Sequence, residues 1–222
     1  MQDAVYRSPV AFAQSLRKPV VGDINGMSTA LSFAETTVED AHSQTLSICD
    51  VSALNRFGVK GPNASAWLTA ANVNLPTGTN SWTTQDDNTL VMRLGNTEFL
   101  LEDQPGTELC SKLNQTSVNE SGIHKVSRND AAFILSGELI QPLFSEVCAI
   151  DLNGDVLDDN RLVMTMIAGV SATLLRQSLN GQTVYRLWCD GTFGPYLWKT
   201  LLNIIKELGG GPVGINRYFK SN

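Results

Sequence analysis

The sequence predicts an α+β fold made of two related modules, each consisting of a strand, a helix, a β-hairpin and a further helix. Two stretches, residues 50–76 and 132–152, begin with apolar residues at strand spacing and continue past a glycine into apolar residues at helical spacing. Each stretch precedes two apolar runs joined by a Gly-Asn or Asn-Gly turn, which is typical of a β-hairpin. We therefore expect antiparallel or mixed sheets.

The first module begins with a strand in which Leu54, Phe57 and Val59 alternate with polar residues. Gly61-Pro62 ends this strand, and proline suits the first turn of the helix that follows because it lacks an N–H. Asn63 or Ser65 can cap the exposed amides of that turn. The predicted helix ends at Pro76 and has one apolar face, formed by Ala64, Trp67, Leu68, Ala71 and Leu75.

The second module repeats this order around Gly137, where Leu143-Phe144 has the same offset from the glycine as Trp67-Leu68 has from Gly61. The corresponding hairpins are residues 90–102 and 173–188, and the helices that follow them are 107–113 and 193–208. The longer helix has an apolar stripe and is stopped by the glycines that follow it. Strand–helix–hairpin–helix is also a common order that two unrelated stretches can share by chance. We favour a duplication, with modules at 46–118 and 119–222.

Residues 1–45 form a separate N-terminal arm in this prediction, because their apolar runs are short and lack a period. Ala11–Leu16 predicts a helical turn or two, and Leu31–Ala34 a short strand. Two interpretations remain open for the arm. It is either a solvated tail or a segment that becomes ordered by lying on a partner.

Two later stretches of the sequence contain a calcium-loop-like pattern and a long apolar run. Asp151 to Asn160 begins with the odd spacing of calcium-loop ligands, but Val156 and Leu162 occupy the positions where such a loop requires Gly and Glu. We therefore interpret it as a helix-terminal turn. The apolar run from Arg161 to Val170 predicts one or two strands at a central position in a sheet.

Composition excludes several classes of function. The 222-residue chain has a net charge of −6 and no cluster of Lys and Arg, so a nucleic-acid surface is not expected. No apolar run is long enough to cross a bilayer, and the N-terminus has neither a signal-peptide layout nor a lipidation motif. The sequence therefore predicts a cytoplasmic protein without membrane or nucleic-acid partners.

Residues able to carry out chemistry are few. The two histidines, His42 and His124, lack the spacing of a metal site or a catalytic triad, and the four cysteines contain no C-x-x-C pair. Asp86-Asp87 is a close carboxylate pair that can do acid–base work, but beside Asn88 it is more typical of a turn. We predict no catalytic, cofactor-binding or metal-binding residue in this chain.

Several short motifs occur together in a recognisable order: Asp50-Val51-Ser52, VKGPNASAWL, NVNLP, MRLGNTEFLLE and FGPYLWKTLLNIIKELGG. In this combination the chain resembles the gamma subunits of heterotetrameric sarcosine oxidases over residues 46–210. It is more distantly similar to the N-terminal two-thirds of the glycine cleavage system aminomethyltransferase and to folate-dependent iron–sulfur-maturation proteins.

The resemblance implies a specific function. Complexes of that family oxidise sarcosine to glycine with oxygen and pass the one-carbon unit to tetrahydrofolate, while FAD, FMN and NAD reside on the larger subunits. The gamma-type chain packs on the folate-handling part of the large flavoprotein subunit and has no known chemistry of its own. The implied partners are therefore the alpha-type subunit and the other subunits of such a complex.

Departures from the aminomethyltransferase pattern leave an alternative open. The Asp of the family's Asp-Asp-Leu-Ile-Val-like strand entry is approximated by Asp87, but Asn88-Thr89 intervenes before the strand. The Gly-Tyr-Thr-Gly-Glu turn that contributes to folate binding is replaced by residues 178–182, Ser-Leu-Asn-Gly-Gln. A stand-alone folate-binding transferase would need a central hole lined by Asp87, Arg93 or Arg176. The exposed aromatics, the long helix stripe and the N-terminal arm are the candidate subunit contacts.

Overall fold

The computed structural model describes residues 6–152, 154–158 and 160–219. The described helices, in chain order, are α1 (Ala11–Ser15), α2 (Thr36–Thr45), α3 (Ala64–Ala70), α4 (Leu109–Gln115), α5 (Ile140–Val147) and α6 (Gly194–Glu207). The strands are β1 (Val20–Ile24), β2 (Met27–Ser32), β3 (Ser47–Asp50), β4 (Arg56–Lys60), β5 (Ser81–Thr84), β6 (Leu90–Arg93), β7 (Glu98–Glu102), β8 (His124–Val126), β9 (Ala131–Ser136), β10 (Leu162–Ile167), β11 (Val170–Leu179), β12 (Gln182–Cys189) and β13 (Gly211–Pro212). Together they confirm the predicted α+β class.

The chain divides into two compact units. Unit 1 is drawn from Met1–Ala53, Asp130–Asp158 and Val163–Asn222, and unit 2 from Leu54–Asn129 and Asp159–Leu162. These are different stretches from the predicted segments 1–45, 46–118 and 119–222, which stay a prediction of domain organisation.

Unit 1 contains the hairpin β1-β2 and a six-stranded sheet in the order β10-β11-β12-β9-β3-β13. The pair β13-β3 is parallel, whereas β3-β9, β9-β12 and β12-β11 are antiparallel, so this sheet is mixed. One face of the sheet packs against α5 and α6. The apolar stripe of α6 lies inside this core through Leu197, Trp198, Leu201, Leu202 and Ile205.

Unit 2 contains a five-stranded sheet in the order β5-β6-β7-β4-β8, and all its printed pairings are antiparallel. The predicted apolar face of α3 packs on this sheet, together with part of α4. The helix is shorter than predicted and ends at Ala70, because Asn72 adopts a positive φ of 60° and turns the chain away. Asn63 does not cap α3 with its side chain, which donates instead to the Ser121 carbonyl at 3.0 Å.

The two predicted modules share a local geometry that ordinary strand–helix units do not require. Gly61 and Gly137 each follow a strand and precede a helix, and each has a φ of +126°. A Cβ at Gly61 would lie 2.2 Å from the Gly122 carbonyl oxygen, and one at Gly137 would lie 2.5 Å from the Thr45 carbonyl oxygen. Both positions therefore admit only glycine, for matching reasons.

The strand that approaches each glycine comes from elsewhere in the sequence. β3 directly precedes β4 along the chain but pairs with β9, and β8 directly precedes β9 but pairs with β4. Residues just before these strands accept matching hydrogen bonds: Asn63 N–H donates to Gly122 O at 3.1 Å, and Leu139 N–H to Thr45 O at 3.0 Å. The two predicted modules have therefore exchanged one strand each, which supports duplication over chance.

One prediction for an individual segment was wrong, and the structure excludes one of the two interpretations that the sequence left open for another. The run from Arg161 to Val170 is not central, since β10 is an edge strand with Met164 and Met166 about half exposed. Residues 6–45 are not a solvated tail. They form α1, the β1-β2 hairpin and α2, and Val10 is fully buried in the core of unit 1.

The calcium-like stretch from Asp151 to Asn160 is only partly covered by the described residues. Asn153 and Asp159 of the rejected calcium-like stretch lie outside the described residues, and Gly154–Leu157 forms a short 3₁₀ turn. No helix in the described ranges is long and apolar enough to cross a membrane.

Candidate functional site

Asp86 and Asp87 lie in the turn between β5 and β6, and both are exposed. The Asp87 carboxylate accepts a hydrogen bond from the Thr89 backbone N–H at 2.9 Å, and Gln85 N–H donates to Thr89 O at 2.9 Å. An Asx turn is formed when an Asp or Asn side chain accepts a hydrogen bond from the backbone N–H two residues further along the chain. The turn interpretation of this carboxylate pair is confirmed.

Arg93 lies at the other end of β6 from Asp87. Its guanidinium donates to the carbonyl oxygens of Pro76 at 3.3 Å, Thr77 at 3.1 Å and Asn96 at 3.1 Å, and it covers the Phe99 ring at 5.6 Å. These contacts hold two loops of unit 2 in place. The structure therefore does not bring Asp87 and Arg93 together into one pocket, because the length of β6 separates them.

Arg176, the third residue considered for a folate pocket, lies on β11 of unit 1 and forms an ion pair with Asp158. Its guanidinium thus already has a carboxylate partner on the same unit. Each of the three residues considered for the alternative folate site thus makes a contact within its own unit.

Gln182, at the end of the 178–182 turn, belongs to a polar network inside unit 1. Its side-chain amide donates to Ser43 O at 2.7 Å and Ser136 Oγ at 3.2 Å, and its carbonyl accepts from Arg217 Nη2 at 3.3 Å. The Tyr218 hydroxyl lies 2.8 Å from Ser136 Oγ. Burial raises the pKa of Tyr218 to about 12. This network joins α2, the sheet and the C-terminal segment, and sequence reasoning missed it because its members are scattered along the chain.

Asp50 is a buried carboxylate whose role sequence reasoning did not identify. It is 3% exposed and accepts hydrogen bonds from Ser8 Oγ, from Gln14 Nε2 at 3.0 Å and from Ser52 N–H at 3.0 Å. Burial raises the pKa of Asp50, and the donated hydrogen bonds oppose that rise. Since Ser8 and Gln14 flank and form part of α1, this carboxylate fastens the N-terminal segment to β3.

A second group of buried residues lies on the sheet face opposite α5 and α6. The Arg186 guanidinium covers the Trp188 ring at 5.5 Å, and both residues are 2% exposed. Burial raises the pKa of the neighbouring Cys49 thiol, which disfavours the reactive thiolate form. Among the described residues, no group of three His, Cys, Asp or Glu side chains is placed to hold a metal ion.

Large apolar side chains are exposed on the N-terminal segment instead. Phe12 is 81% exposed, Leu16 75%, Val20 62% and Val21 60%. We call these four residues, with the intervening surface of α1 and β1, the N-terminal surface. Large exposed apolar patches on a protein surface mark sites of contact with another protein, a membrane or a ligand.

Comparison with known proteins identifies the family to which the chain is similar. The GCVT N-terminal domain matches residues 2–218. The aminomethyltransferase of Anoxybacillus flavithermus is 23% identical over 214 residues, which is 87% of this chain and 57% of that protein. The chain therefore spans little more than half the length of that relative.

Two solved structures share the fold. Aminomethyltransferase T of the glycine cleavage system from Bartonella henselae has a TM-score of 0.67 at 15% identity, over 90% of this chain and 57% of that one. A chain of the heterotetrameric sarcosine oxidase from Corynebacterium sp. U-96, solved with pyrrole 2-carboxylate, has a TM-score of 0.67 at 20% identity, over 94% of this chain and 98% of that one. With the family match running almost from end to end, the chain belongs to the GCVT N-terminal domain family.

Proposed function

We propose that this chain is a non-catalytic, gamma-type subunit of a sarcosine oxidase complex, in which it packs on the folate-handling part of a large flavoprotein subunit. The observation that carries the proposal is the use of Asp87, Arg93 and Arg176 for local contacts within the chain. A folate site needs polar groups that converge on one cavity and are free to meet the ligand. The groups considered for that task have internal partners.

Two further observations support the proposal. The chain aligns with nearly the whole of one chain of a heterotetrameric sarcosine oxidase, whereas it aligns with 57% of aminomethyltransferase T. The N-terminal surface also exposes apolar area that a partner could cover. By contrast, the α6 stripe, which the sequence offered as a candidate contact, is buried in the core of unit 1.

On this proposal the chemistry belongs to the partners. FAD, FMN, NAD and tetrahydrofolate would be held by the other subunits, and the complex would demethylate sarcosine to glycine and hand the one-carbon unit to tetrahydrofolate. The cytoplasm, expected from the sequence, is the compartment we propose for it.

The alternative function is a stand-alone, tetrahydrofolate-binding aminomethyltransferase-like protein, which the match to aminomethyltransferases favours. Calorimetric titration of the purified chain with tetrahydrofolate separates the two. We expect no saturable heat from the wild-type chain. Saturable binding that Asp87→Ala abolishes and Lys199→Ala preserves would establish the alternative, since Lys199 is exposed on α6 of unit 1, whereas the β5–β6 turn belongs to unit 2.

A further inference from the structure

We propose that the N-terminal surface binds an apolar face of a partner protein that is rich in Asp and Glu. This inference rests on the proposed function, because it assigns a position and a chemistry to the contact that a gamma-type subunit requires.

Apolar exposure is concentrated in one part of the chain. Of the eleven large hydrophobic residues that are exposed in the described ranges, six fall between Tyr6 and Val38, and the two most exposed are Phe12 and Leu16. These two are four positions apart on and beside α1, so their side chains lie on the same face of the helical turn. Val21 of β1 lines the same open groove as Phe12, whose volume is about 510 Å³.

The segment that carries this surface is anchored. Gln14 of α1 donates to the buried Asp50 carboxylate at 3.0 Å, and Val10, immediately before α1, is fully buried. The β1 strand is paired along its length with β2. Phe12 and Leu16 are therefore held outward by a folded support, and a partner that covers them does not have to order the segment first.

Charge indicates what the partner offers. Between Tyr6 and Val21 the sequence contains Arg7, Arg17 and Lys18 and no Asp or Glu, although the chain as a whole has a net charge of −6. Arg7 and Lys18 line the groove together with Phe12 and Val21. Apolar side chains flanked by these two cations fit a partner face whose apolar residues are flanked by carboxylates, since complementary charges raise association rates and disfavour wrong partners.

The same charges argue against a second copy of this chain. A symmetric dimer would place the surface against itself and bring the three cations of one protomer close to those of the other. The short α1, five residues long, also offers little apolar area for insertion into a lipid surface. An acidic protein face is the occupant that avoids both difficulties.

Site-specific photo-crosslinking in the native host tests the assignment. A photoreactive residue is placed at Phe12 of the tagged full-length chain and, as the control, at Phe193, which is also exposed but lies beside α6. We expect Phe12 to crosslink to a partner peptide in which Asp and Glu alternate with apolar residues. Crosslinks confined to Phe193, a neutral or basic peptide, or a crosslink to this chain itself would each overturn the inference.

Charge reversal gives an independent readout. The variant Arg17→Glu/Lys18→Glu should weaken the isolated complex roughly tenfold or more and remove its sensitivity to salt, as expected for a cationic rim. Lys199→Glu/Lys206→Glu makes the same change of net charge on α6 and should leave the affinity unchanged. Equal weakening by both variants, or binding of the wild-type chain to anionic phosphatidylserine vesicles that the first variant loses, would count against an acidic protein partner.

The outcomes separate this inference from the proposed function. Flavoprotein chains that copurify while Phe12 fails to crosslink would leave the subunit role standing and refute the assigned surface. An acidic partner without flavin that crosslinks at Phe12 would support the assigned surface and refute the role as a sarcosine oxidase subunit.

Discussion

At the scale of single residues, buried polar groups in this chain serve to join segments. Asp50 connects α1 with β3, and Gln182 connects α2 with the C-terminal segment. Neither role could be predicted from the sequence, because hydrogen bonds between positions far apart leave no local pattern. The Asp86-Asp87 turn could be predicted, since an Asx turn depends on neighbouring residues alone.

Tyr218 gives a prediction about alkaline stability. Its pKa is about 12 in the folded chain, mainly because of burial, against an ordinary value of 10.0. Above pH 10 the unfolded chain loses this proton while the folded chain keeps it. The contribution of Tyr218 to the free energy of unfolding is therefore full below pH 10 and is lost as the pH rises towards 12. We expect the loss to be on the order of 2–3 kcal/mol over this window.

Urea unfolding of Tyr218→Phe at a series of alkaline pH values checks this. The variant should lose about 1 kcal/mol at neutral pH through the missing hydrogen bonds, but its stability should fall less steeply than that of the wild type above pH 10. Parallel pH profiles for the two proteins would show that Tyr218 does not carry the effect.

Arg56 and Glu102 form a buried ion pair across β4 and β7, with a separation of 2.6 Å and side chains 3% and 1% exposed. Removing one partner leaves a buried charge without its counterion, so Arg56→Met should cost about 3–5 kcal/mol. The double variant Arg56→Met/Glu102→Leu should recover most of that loss. Chemical denaturation of the three proteins measures both effects, and a double variant no more stable than the single one would mean that the pair is not the main source of the cost.

At the scale of elements, the hairpins and the long helix could be predicted from the sequence, whereas the exchange of β3 and β8 between the modules could not. The turns at residues 95–96 and 180–181 fix β6-β7 and β11-β12 locally. The pairing of β3 with β9 and of β8 with β4 joins strands that are far apart in sequence. The helix α2 was missed because its buried residues are Glu39 and Ser43 and so give no apolar period.

The repeated glycines supply a prediction at this scale. Gly61→Ala would force a Cβ to 2.2 Å from the Gly122 carbonyl oxygen at a φ of +126°, so we expect a loss of at least about 3 kcal/mol in the free energy of unfolding. Gly95→Ala is the matched control in the same unit, because a Cβ there meets nothing within 4 Å. Its stability should change by less than about 0.5 kcal/mol. Similar losses for both variants would contradict the exchanged-strand geometry.

At the scale of the whole molecule, membership of the GCVT N-terminal domain family fixes the fold and leaves the function open. The resemblance seen in the sequence to the N-terminal part of the aminomethyltransferase agrees with this family, because its motifs surround the glycine turns and hairpins of the repeat. The finer resemblance to gamma subunits of sarcosine oxidases stays a prediction. The sequence could not show that Asp87 and Arg93 lie at opposite ends of β6, or that Arg176 pairs with Asp158, since these contacts depend on tertiary structure. The exposed N-terminal surface likewise became visible only once α1 and β1 were placed.

The most direct test of a subunit role is the composition of the native particle. The chain is tagged in its own cells, purified gently, and measured by light scattering together with flavin absorbance and peptide sequencing. We expect a particle several times heavier than this 24.1 kDa chain, with stoichiometric flavin and larger flavoprotein chains. A colourless particle that contains only this chain would contradict the account.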